Sequence, residues 1–138
     1  MKENTCVVKN LSETRWSVRY DATKALFVNY SEIQKALFEI TESERQQAVA
    51  VLEAKSLIKN MNNFETALMC VIWNDLLQNI NIVNKALQET GIELCTIVKL
   101  FKTLIAYFHG IRIEFEKFET MAKNLQLPNI KNIHNVNE

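Results

Sequence analysis

Arg15 and Trp16 set a guanidinium beside an indole at the start of an amphipathic stretch. A cation next to an aromatic face can stack an unpaired base and hold its phosphate. The plainer reading gives Trp16 to a helical core and leaves Arg15 as a first-turn surface charge. Residue type does not decide between them.

The other residues capable of chemistry are scattered. Cys6, Cys70 and Cys95 are three cysteines without Cys-x-x-Cys spacing. They point away from a disulfide framework and towards a reduced setting. Cys70 and Cys95 lie in apolar helical stretches, where a thiol behaves as a small core residue and no neighbouring base makes it a nucleophile. His109 and His134 are far apart, and neither has a cysteine at ligand spacing, so His109 reads as a helix-surface residue and no metal is expected. Glu114, Glu116 and Glu119 alternate with Lys117, the pattern of a solvated face with local ion pairs. Two isolated glycines cannot build a phosphate-cradling loop. No active site, cofactor or small-molecule substrate is expected.

With 138 residues, two glycines and one proline, the chain holds one domain's material and little of what sheets and tight loops require. Sixteen basic residues against sixteen acidic ones leave no net charge, which argues against a strong autonomous nucleic-acid binder but not against a local contact. The first residues show no secretory signal, and no apolar run along the sequence approaches the roughly 18 residues that span a bilayer. A soluble intracellular protein without a membrane partner is the expectation.

Hydrophobic periodicity predicts an all-α fold, an elongated bundle of four to five helices. Residues 1–12 form a lead-in, 13–127 the helical domain and 128–138 a flexible tail. A first helix carries Trp16, Tyr20, Thr23, Phe27 and Tyr30 on one face. Ser31 with Gln34, Thr41 with Glu44, and Asn62 with Glu65 read as boxes that start the next three. Their inward stripes are Ile33, Leu37 and Ile40, then Val51, Ala54, Ile58 and Met61, then Met69, Trp73, Leu76, Ile80, Val83 and Leu87.

Gly91 ends the fourth helix. The fifth repeats Leu94, Ile97, Phe101, Leu104, Phe108, Ile111, Phe115, Phe118, Ala122 and Leu125 at alternating steps of three and four, the period of a coiled-coil seam. Val98 and Ile105 widen its stripe beyond a two-helix seam. Residues 63–89 and 93–125 are therefore expected to fold back as a long antiparallel hairpin, the second arm about 45–50 Å long. Pro128 ends the helical region. Phe101, Phe108, Phe115 and Phe118 sit at seam positions and pack in a core. Left uncovered, they form an apolar strip that promotes association with a second copy or a partner helix.

The run from Leu11 to Leu26, with Thr14-Arg15-Trp16 at its centre, resembles the segment of hAT-type DNA transposases where the ribonuclease-H-like core gives way to a helical insertion. It is similar in particular to transposase-derived relatives described as MYM-type zinc-finger proteins. Asn29–Leu37, Trp73-Asn-Asp-Leu-Leu and Val83–Gln88 resemble the same insertion, and the resemblance covers roughly residues 10–125.

The resemblance implies that Arg15 and Trp16 contact DNA by holding a base flipped out at a hairpin end. It also implies a nuclear protein. The family's catalysis uses three metal-binding acidic residues, and this chain has no position to match any of them. Asp21 and Asp75 belong to helices. By resemblance, then, the chain is expected to be a catalytically incompetent, truncated piece of a hAT-like protein, structural in role, with a vestigial DNA contact. The alternative is a self-associating helical module that uses the apolar face of the last long helix.

Overall fold

A computed structural model describes residues 16–43 and 46–134. Six α-helices occupy the described residues: α1 Trp16–Val28, α2 Tyr30–Glu42, α3 Ala48–Met61, α4 Phe64–Leu87, α5 Leu94–Ile111 and α6 Phe115–His134. The all-α class is as expected, but with six helices instead of four or five. Cys6, Thr14, Arg15, Glu44 and the lead-in lie outside the described residues.

The helix starts differ in mechanism from the expected boxes. Asn29 joins α1 to α2 with almost no break: its backbone N–H and its Nδ2 both donate to the Ala25 carbonyl, at 3.1 and 2.9 Å. Asn29 occupies the N-cap of α2 without a side-chain cap bond, so Ser31 lies inside the helix. Gln34 does other work, donating through Nε2 to Asn62 Oδ1 at 3.0 Å from a buried position. Thr41 is also inside α2, where its hydroxyl donates to the Phe38 carbonyl.

Before α4 the cap is Asn63, one residue later than expected, and its Oδ1 accepts from the Glu65 N–H at 3.0 Å. Asn62 is left as a junction. Its side chain takes the bond from α2, and its carbonyl accepts from Gln126 Nε2 of α6 at 3.0 Å.

α4 is the central element. It packs mainly against α1 and α6, while α2 pairs with α3. The core gathers Tyr30, Met61, Ala67, Cys70, Val71, Phe118 and Ala122, with Leu26, Phe27, Ile33, Leu37, Phe64, Leu68, Ile72, Ile111 and Leu125 around them. Ala25, Ala67 and Ala122 have no exposed surface, so helices approach closely where the side chains are smallest. Tyr30 is anchored by its hydroxyl, which donates to the Met61 carbonyl at the end of α3 at 2.6 Å.

The expected hairpin is corrected here. Its second arm is two helices, because the chain turns at residues 112–114. The Ile113 and Glu114 N–H groups both fold back to the Gly110 carbonyl, at 2.9 and 3.3 Å. Glycine is a poor helix former near a helix end, and here it closes α5. After the turn α6 lies along α4 and also touches α2, while α5 makes a lighter contact with α4.

Three further expectations change. α6 runs through Pro128 to His134, giving up the hydrogen bond that a proline nitrogen cannot donate. Cys95 is exposed, its Sγ donating to Glu93 Oε2 at 3.2 Å, while Cys70 is buried as expected. Of the expected α4 stripe, Val83 is buried but Met69 and Trp73 are exposed, and the rest of the buried face runs through Ala67, Cys70, Val71, Leu77 and Asn81.

Candidate functional site

The turn at Gly91, whose φ of +83° suits a residue without Cβ, returns the chain beside α4 and starts α5. Over its eighteen residues α5 has no buried position. Its half-buried residues are Ile97, Leu100, Leu104, Tyr107, Gly110 and Ile111. That spacing is one helical face, turned to α4. Tyr107 fixes it there by donating its hydroxyl to Asp75 of α4. Burial first, and then the hydrogen bond and charge of Asp75, raise the Tyr107 phenol above its ordinary range.

The neighbouring face carries Leu94, Val98, Phe101, Ile105 and Phe108, all exposed, Leu94 by 75% and Ile105 by 55%. Five large apolar side chains in one row on a single helix exceed the scattered hydrophobics of an ordinary surface. Beside the row lie Lys102 and His109, both exposed, with Lys99 further round. Ile113 and Phe115 extend the exposed apolar surface past the end of α5.

As a helix, Leu94–Ile111 is long and apolar enough by length and composition to cross a membrane. Lys99 and Lys102 interrupt it as a run of residues, which is why no continuous apolar stretch stands out along the sequence.

The six expected site residues separate. Phe101 and Phe108 share the exposed face of α5, and Phe108 also meets the Tyr107 ring at 5.8 Å between centroids. Phe115 is exposed but stands on α6, beyond the turn. Phe118 cannot line a surface strip: at 2% exposure it is a core residue, because the turn rotates α6 onto α4. Trp16, the first residue of α1, is 46% exposed, with the Arg19 guanidinium carbon 5.9 Å from its ring centroid. Arg15 lies outside the described residues.

Val98 and Ile105 complete the α5 face that sequence reasoning had centred on Leu104 and Ile111. The signal was the doubled stripe, two apolar rows offset by one position.

Elsewhere the chemistry is sparse. Among the described residues no group of three or more His, Cys, Asp or Glu side chains is placed to hold a metal ion. His109 is exposed, and Glu114 pairs with Lys117 at 3.2 Å on the solvated face. Asp21 is exposed on α1, and Asp75 serves as the acceptor for Tyr107. Compared with family models, with curated proteins and with solved structures, the chain matches none of them.

Proposed function

We propose that this protein is a helical interaction module that associates with itself through the exposed face of α5. The observation that carries the reading is an eighteen-residue apolar helix with no buried residue, whose exposed hydrophobics line up in one row along a single face. Leaving Leu94, Val98, Phe101, Ile105 and Phe108 in water costs free energy in proportion to their apolar area. Covering them recovers it. The absence of net charge removes overall repulsion between copies.

Sedimentation velocity tests this directly. The wild type is expected to shift from monomer to a larger species as concentration rises, and Ile105→Glu is expected to stay monomeric. A carboxylate placed unpaired in the covered face weakens association by about 3 kcal/mol or more, roughly a hundredfold. The substitution is at an exposed position, so its helical circular dichroism should match the wild type. A wild type that remains monomeric at high concentration removes the reading.

A second reading has its own observation. Trp16 offers a half-exposed indole with Arg19 against it, the pairing that stacks an unpaired base. The resemblance to hAT-type transposases around Thr14-Arg15-Trp16 supports a vestigial DNA contact in the same place. Labelled hairpin-ended DNA is then expected to bind in a salt-sensitive way, with Trp16→Ala weakening it by about 1–3 kcal/mol. Binding that is absent, or indifferent to Trp16, removes this reading.

A further inference from the structure

We infer that the exposed row on α5 is a parallel two-stranded coiled-coil seam, occupied by α5 of a second copy of this chain. The inference rests on the self-association proposed above and adds the occupant's orientation and register. Leu94, Val98, Phe101, Ile105 and Phe108 follow one another at steps of four, three, four and three. This is the a/d order of a heptad, with Val98 and Ile105 at a, and Leu94, Phe101 and Phe108 at d. β-Branched residues at a, with Leu at d as at Leu94, favour two strands over three or four.

The width of the face agrees. An interfacial helix on a lipid surface presents a broad apolar face, whereas a strict a/d row is the narrower stripe of a helix pair. Here the row is bounded on one side by the residues turned to α4 and on the other by Lys102 and His109. Five half-exposed side chains offer on the order of 500 Å² per copy, so two copies cover about 1,000 Å², the lower bound of a specific interface. α5 is already folded against α4, so pairing need not supply the cost of nucleating a helix. Two and a half heptads can then suffice.

Charge selects the orientation. Cys95, Lys102 and His109 occupy e, and Ile97, Leu104 and Ile111 occupy g. In an antiparallel pair e faces e, which sets Lys102 beside its own symmetry mate with no acidic side chain on the seam to offset it. In a parallel pair e faces g, so the two Lys102 side chains lie on opposite flanks of the seam and each ammonium stays in water. The interface is isologous and closed, a two-fold dimer instead of an open fibre.

Cysteine cross-linking reads the register. In a background of Cys6→Ser and Cys95→Ser, Val98→Cys places one thiol in the a layer of each copy. In the parallel pair the two face each other at disulfide range, whereas antiparallel pairing sets Val98 opposite Phe108, about 15 Å away along the axis. Under mild oxidation most of the Val98→Cys protein is expected to run as a linked dimer. Thr96→Cys, at the outward f position, is expected to remain unlinked. A dimer by sedimentation with no Val98→Cys link overturns the parallel seam and leaves self-association standing. A protein monomeric at every concentration overturns both, and if it then binds anionic phosphatidylserine vesicles, a lipid surface covers α5 instead.

Discussion

Phe118→Ala is expected to lower the unfolding free energy by about 3–5 kcal/mol, the cost of deleting a buried aromatic ring and leaving its cavity. Phe118 is 2% exposed and lies among Tyr30, Met61, Ala67, Cys70, Val71 and Ala122, where α6 crosses α4. The loss is a large share of the roughly 5–15 kcal/mol that holds a domain folded. Urea denaturation measures it as a fall in midpoint. Phe101→Ala serves as the contrast, because its ring is exposed on α5 and no core collapses around it. In dilute monomer it should cost less than about 1 kcal/mol. Equal midpoints for the two variants would contradict the placement of Phe118 in the core and Phe101 outside it.

The same two residues show what periodicity can and cannot report. Phe101, Phe108, Phe115 and Phe118 share one alternating pattern, and the pattern passes through the turn at residues 112–114 without losing phase. A turn that keeps phase is invisible to a period of three and a half, although it moves α6 to a different neighbour. Gly110 was the local sign of a break, and a lone glycine inside a helical pattern is too common to be decisive.

On the pair α2 and α3, which pack chiefly against each other, the stripes were legible: Ala54 and Met61 on α3, and Ile33 and Leu37 on α2, are buried or packed on the core. On α4 they were not. That helix is covered by α1 and α6 together, so its buried face is broad and is centred on the small residues Ala67 and Cys70. Met69 and Trp73, the bulky start of the expected row, fall outside the buried face, while Val83 further along lies within it. Large side chains dominate a hydrophobic pattern, yet close helix crossings are made by small ones.

The candidate site was half legible for a related reason. Two apolar rows on α5 were present in the sequence, and amphipathicity alone cannot say which row the rest of the chain covers. Tyr107 decides it. Its hydroxyl finds Asp75 on α4, and this commits the row of Ile97, Leu104 and Ile111 inward and leaves Val98, Phe101 and Ile105 outside. That pairing spans 32 positions and has no local signature. Trp16 is not the buried core residue of the plainer expectation: it is 46% exposed, beside Arg19.

Raising the pH from 8 to 11 is expected to remove several kcal/mol of stability through two core groups, Tyr30 and Cys70. Burial raises the Tyr30 phenol to about 12, with the neighbouring Cys70 charge adding to it, and raises the Cys70 thiol to about 11. Their ordinary values are 10.0 and 9.0. Both are held neutral in the folded chain, so unfolding releases protons once the pH passes the unfolded values. Stability from these groups is therefore complete below about pH 9 and is lost progressively towards pH 12. A rise of about two units corresponds to at most roughly 2–3 kcal/mol for each group. The two feel each other's charge, so their effects fall short of a simple sum.

Tyr30→Phe isolates the phenol. At pH 7 the variant should be less stable by about 1–2 kcal/mol, because the Met61 carbonyl loses its 2.6 Å partner in the core. It has no phenol to ionise, so its urea midpoint should fall less steeply with pH and approach or overtake the wild type near pH 11. Cys70→Ala should flatten the earlier part of the curve, between about pH 9 and 11, for the same reason. Curves that stay parallel to the wild type across that range would show that neither group is held neutral by the core, and would count against the burial of Tyr30 and Cys70 in one cluster.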